Sequence, residues 1–91
     1  MKPIARHGDL HRCPQCGHGV TPIISNSPST VEGQPIARVG DSLFDTQGCG
    51  ATIIEGSSAA TTDGRPTTYL GCKTDHGGEI ITASSSAKVP P

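Results

Sequence analysis

Residues 3–9 read Pro3-Ile4-Ala5-Arg6-His7-Gly8-Asp9, and residues 35–41 read Pro35-Ile36-Ala37-Arg38-Val39-Gly40-Asp41, so six of seven positions are identical. A degraded third copy is Pro66-Thr67-Thr68-Tyr69-Leu70-Gly71-Cys72. Repetition of this kind sets the architecture, because one unit alone cannot bury a face whereas several packed together can. A second block follows each copy after a variable loop. Gly19 to Pro35 aligns with Gly50 to Pro66 at an offset of 31, with Thr21/Thr52, Ile23/Ile54, Ser27/Ser58, Thr30/Thr61 and Gly33/Gly64 among the identities. The third version starts at Gly77, with Ile80-Ile81 matching Ile53-Ile54 and Ser84-Ser85 matching Ser57-Ser58. The units are 3–34, 35–65 and 66–91.

Each unit has one reading. A strand such as Ile36-Ala37-Arg38-Val39 ends at a Gly-Asp turn, and a polar loop follows. A strand such as Ala51-Thr52-Ile53-Ile54-Glu55 then leads through a Gly/Ser turn into a short Thr-rich strand. Glu32-Gly33-Gln34-Pro35 and Asp63-Gly64-Arg65-Pro66 fit hairpin turns in which Gly takes positive φ. The pattern predicts an all-β domain of short strands and hairpins, three units around a pseudo-threefold axis. The stretch Ser84 to Pro91 reads as a last strand and a frayed tail.

Composition agrees. Twelve Gly and eight Pro in 91 residues argue against long helices. Phe44 and Tyr69 are the sole aromatics and 32% of residues are apolar. So small and poor a core calls for a staple such as a metal, a disulfide or a partner protein. The net charge is −1 without a basic stripe, which counts against nucleic-acid binding through phosphates. No apolar run approaches the ~20 residues of a membrane span. The start, Met1-Lys2-Pro3-Ile4-Ala5-Arg6-His7, lacks the apolar stretch of a secretory signal. The expected site of synthesis and folding is therefore the reducing cytoplasm. Four Cys and four His there read first as metal ligands and second as disulfides.

The repeat register bears on those ligands. The position before the Gly that opens the second block is His18, Cys49 and His76 in the three units. Equivalent positions near a threefold axis converge, and imidazole and thiolate are good donors to tetrahedral zinc. The fourth ligand must break the symmetry. His11 is chosen, two residues after the Gly8-Asp9 turn in the longest loop. The set His11, His18, Cys49 and His76 would be closed, hence structural, with no open position for a catalytic water. The rival set is a zinc ribbon, with the knuckle Cys13-Pro14-Gln15-Cys16 completed by Cys49 and either Cys72 or His76. A Cys13–Cys16 disulfide would close a tiny loop and stabilise little, and Cys16 and Cys72 are also readable as buried small residues. His7, in the slot of Val39 and Leu70, reads as an inward strand position. Asp9 and Asp41 read as turn formers whose side chains bond nearby backbone amides. Cys72 replaces the corresponding Asp.

The repeated Pro-Ile-Ala-Arg-x-Gly-Asp, the stretch Gly8-Asp9-Leu10-His11-Arg12-Cys13-Pro14 and His76-Gly77-Gly78 resemble the PAAR-repeat proteins over nearly the whole chain. The family usually has Pro-Ala-Ala-Arg, and the third copy here has lost the Arg and the Asp. The resemblance implies a small pointed β cone that caps the VgrG spike of a bacterial type VI secretion system. It implies one structural zinc near the apex, held by three His and one Cys that fall on His11, His18, Cys49 and His76. It implies no enzymatic activity, and one copy per VgrG trimer bound through the base of the cone. The cone would sharpen the spike for membrane puncture and leave the cell with it. Related proteins cap the tail spikes of contractile phages, which is the alternative machine. Many members carry a toxin domain. The expectation here is a single domain over residues 1–91, with effectors recruited as separate proteins.

Overall fold

The computed structural model describes residues 1–13, 19–43, 51–75 and 77–91. The described residues contain ten short strands and no helix. They are β1 (Lys2–Pro3), β2 (Leu10–Cys13), β3 (Gly19–Ile24), β4 (Thr30–Val31), β5 (Gln34–Pro35), β6 (Ser42–Leu43), β7 (Thr61–Thr62), β8 (Arg65–Pro66), β9 (Glu79–Ile80) and β10 (Lys88–Val89). The body measures 31 × 23 × 23 Å, one long axis and two equal short ones.

The repeated motifs meet at the centre. Ala5 N–H donates to Thr68 O, Thr68 N–H to Ala37 O, and Ala37 N–H to Ala5 O, at 3.0–3.1 Å. The three bonds close a ring with one corner from each unit. A second cycle surrounds it: His7 N–H bonds Pro35 O, Val39 N–H bonds Pro66 O, and Leu70 N–H bonds Pro3 O. Ala, Ala and Thr occupy the corners, all fully buried. Small side chains there let three backbones approach one axis, and Thr68 Oγ1 adds a 2.9 Å bond to Ala37 O.

This geometry explains why the expected strands over 36–39 and 51–55 are broken into isolated bridges such as Arg6↔Ile36, Arg38↔Thr67 and Ile4↔Tyr69. Consecutive residues of each motif bond to different neighbours around the axis. The longest ladder lies in unit one, where β2 and β3 pair from Leu10↔Pro22 to Cys13↔Gly19 in the sheet β6-β3-β2-β9.

The structure corrects the repeat alignment by one residue. Gly8, Gly40 and Gly71 donate to the carbonyls of Ile23, Ile53 and Ile80, and those isoleucines donate back to Asp9, Asp41 and Cys72. Ile53, not Ile54, is therefore the counterpart of Ile23, an offset of 30. All three are buried, whereas Ile54 is 58% exposed. Likewise Ser27, Ser57 and Ser84 correspond, each hydroxyl accepting backbone amides of its own turn. The extra residue of unit two lies between Ser57 and Thr61, after which the offset is 31. The sequence match favoured 31 throughout because two adjacent isoleucines, Ile53 and Ile54, fit either choice.

The hairpin turns are as expected. Glu32-Gly33 and Asp63-Gly64 both have φ of 54° then 81°, positive at both central residues as a type I′ turn requires. They join β4 to β5 and β7 to β8. The third such ladder is β1 with β10, Lys2↔Val89 and Pro3↔Lys88. The last strand thus pairs with the first and closes the circle.

The one-residue correction is measurable. Ile53→Ala removes a fully buried side chain and is expected to cost about 2–5 kcal/mol, whereas Ile54→Ala should stay within about 0.5 kcal/mol of the parent. Urea denaturation of the two variants checks it, and the reverse ranking would restore the offset of 31.

Candidate metal centre and the polar ties between units

Above the isoleucine layer comes a second set of equivalent inward positions, two residues past the turn in each unit: His11, Leu43 and Thr74. Each pairs with the isoleucine of the neighbouring unit, as Ile80↔His11, Ile23↔Leu43 and Ile53↔Thr74. His11 is completely buried. Its Nε2 lies 3.0 Å from Thr74 Oγ1. Thr74 Oγ1 also accepts Gly78 N–H, and Thr74 N–H donates to Gly78 O. His11 is thus tied to the Thr74–Gly78 pair. A symmetry-breaking fourth ligand requires that the sister positions not be donors of the same kind, and Leu43 and Thr74 are not.

Of the four expected ligands, His18, Cys49 and His76 lie outside the described residues, and so does Cys16. The segments that carry them are bracketed by hydrogen-bonded ends: Cys13↔Gly19 around 14–18, Leu43 N–H to Ala51 O around 44–50, and Thr74 with Gly78 around 76. His18 stands five residues before Ile23, while Cys49 and His76 each stand four before Ile53 and Ile80. A fully buried imidazole is a side chain whose donor chemistry suits a zinc site. Cys72 is buried in the core and makes no metal group with other described residues.

The motif's own polar residues form ties that sequence reading only half anticipated. Asp9 accepts Arg6 N–H at 2.8 Å and Asp41 accepts Arg38 N–H at 2.7 Å, the expected turn bonds. The same carboxylates also grip the guanidinium groups of Arg6 and Arg38 in two-point fashion. These bonds raise the pKa of both arginines further. The signal was available as Arg-x-Gly-Asp, a fixed spacing of three recurring in two units. In unit three Tyr69 N–H donates to Cys72 Sγ at 3.3 Å. The thiol takes the acceptor's place, and burial pushes its pKa up. With Tyr69 where the arginine would stand, a carboxylate there would be buried without its partner, which accounts for the Cys.

The arginines reach on to the hairpin turns. Arg6 Nη1 pairs with Glu32, and Arg38 Nη1 pairs with Asp63 at 2.9 Å. Each turn acid then bonds the serine turn of another unit, Glu32 to Ser85 and Ser86 and Asp63 to Ser27. The hydroxyls of Ser86 and Ser85 hold the Glu32 carboxyl down at about 2. His7 is not an inward residue. It is half-buried at the rim, and its Nδ1 accepts Ser25 N–H at 3.0 Å, a polar role that Val39 and Leu70 cannot share.

The PAAR motif family matches residues 1–54, more than half of the chain. The chain belongs to the PAAR-motif family. The family is one of structural spike-tip proteins, and the Arg–Asp ties belong to the PAAR motif's own residues. No curated protein matches the sequence.

Two outcomes follow for the ties. Asp41→Ala leaves the buried Arg38 guanidinium without its main partner and is expected to cost about 3 kcal/mol, whereas Cys72→Ala should cost roughly 1–2 kcal/mol; thermal unfolding distinguishes them. Glu32 has a lowered folded-state pKa, so its contribution is complete above its ordinary value of 4.5 and is lost as pH falls toward about 2. Stability measured between pH 5 and pH 2 should therefore decline less steeply in Glu32→Gln than in the parent.

Proposed function

We propose that this PAAR-motif protein is the zinc-stabilised tip of a type VI secretion spike, seated through its broad end on a VgrG trimer with one copy per trimer. The observation that carries the reading is the closed backbone ring of Ala5, Ala37 and Thr68, which makes one chain approximately threefold. A threefold body is what a single cap needs if it is to meet all subunits of a homotrimer alike. The ladders β4–β5, β7–β8 and β1–β10 are each two-stranded and equivalently placed. Unpaired strand edges at three related positions suit addition of one partner strand at each.

The metal's role in this reading is mechanical. His11, His18, Cys49 and His76 would hold one zinc, which would tie residues of all three units to a single point. Its binding energy would then be part of folding energy. On a spike, a tip so fastened would bear load during membrane puncture, and it would leave the cell with the spike.

Metal analysis and co-purification test the reading in turn. One zinc per chain is expected, lost in His18→Ala, Cys49→Ser and His76→Ala and kept in the double variant Cys13→Ser, Cys16→Ser. The opposite pattern would transfer the site to a zinc ribbon. Native mass spectrometry of the protein with a VgrG trimer should show one chain per three, and absence of any complex would sink the cap.

A further inference from the structure

We propose that the three-unit ring opens at the seam between β1 and β10, and that Glu32 is the latch across that seam. Three junctions hold the units in a circle, and they are unequal. Between units one and two, the ladder β4–β5 is closed covalently by Glu32-Gly33, and Arg6 grips Glu32. Between units two and three, β7–β8 is closed by Asp63-Gly64, and Arg38 grips Asp63. Between units three and one, β1 and β10 come from opposite ends of the repeat array, so no turn joins them. Tyr69 stands in the arginine's place there, so the ion pair is lost as well.

What remains at the seam is backbone bonding. Ile4 N–H donates to Ala87 O, Ser84 N–H to Ile4 O, and Leu70 N–H to Pro3 O. The bond from Ser58 Oγ to Pro91 O at 3.2 Å belongs to the junction of units two and three, not to the seam. The junction without a covalent turn is the one that opens at least cost, because local opening there needs only its own hydrogen bonds and contacts to break.

Glu32 spans this weak point. Its Oε1 binds Arg6, in the segment that follows β1, and its Oε2 accepts Ser85 Oγ at 2.9 Å and Ser86 Oγ at 2.7 Å. Ser85 and Ser86 belong to the turn that leads directly into β10, next to Ala87 on the seam. The carboxylate therefore fastens the segment entering β10 to the strand leaving β1. The charged groups around it are Arg6, in direct contact, and Asp9, which holds the other edge of the same guanidinium. Asp63 plays the corresponding part for Ser27, but across a junction already closed by its own chain.

Native-state hydrogen exchange compares the seam with its two counterparts within one molecule. The amides of Ile4, Ile36 and Thr67 are equivalent donors, to Ala87, Ser29 and Ala60. The protection factor of Ile4 is expected to be at least about tenfold below those of Ile36 and Thr67; values equal within about threefold would overturn the seam. Glu32→Gln should lower the protection of Ile4 further while leaving Thr67 unchanged. If it moves both alike, or neither, Glu32 is not the latch. The parent comparison needs no variant, so it stands even if a substitution impairs folding.

Discussion

Three backbone hydrogen bonds, from Ala5 to Thr68, Thr68 to Ala37 and Ala37 to Ala5, are the constraint on which the rest of the structure depends. Each unit gives one bond and receives one, so no unit completes its own hydrogen bonding. A buried amide left unpaired is costly, so the three motifs fold together. The ring also limits side-chain size at its corners, which is met by two alanines and a threonine. Because each chain passes the axis for only a residue or two, ladders stay short and the isoleucines Ile23, Ile53 and Ile80 pack as one layer beyond it.

Each level above the ring keeps the threefold positions but varies the chemistry in one unit. The layer His11, Leu43, Thr74 has one imidazole beside an aliphatic and a hydroxyl side chain, so the same inward position carries three different chemistries. The turn acceptors Asp9, Asp41 and Cys72 keep one geometry with two kinds of atom, and the change to sulfur accompanies the loss of the arginine at Tyr69. A body with an approximately threefold backbone can thus carry asymmetric chemistry in its side chains. The same arrangement leaves one junction, β1 with β10, without a connecting turn.

The sequence by itself determined the three units, the all-β class, the positive-φ hairpin turns and the acceptor role of Asp9 and Asp41. These follow from local chemistry: a recurring motif, the φ freedom of Gly, and the reach of an Asp carboxylate to an amide three residues away. Tertiary structure alone decided the register of the second block, since Ile53 and Ile54 are equally apolar and burial of one follows from pairing across units. It also decided that His7 sits at the rim accepting Ser25 N–H, and that Arg6 and Arg38 each join two carboxylates. It decided too that His11 shares its layer with Leu43 and Thr74. These facts depend on neighbours many residues away in the chain, which the ring brings within bonding distance and no local pattern encodes.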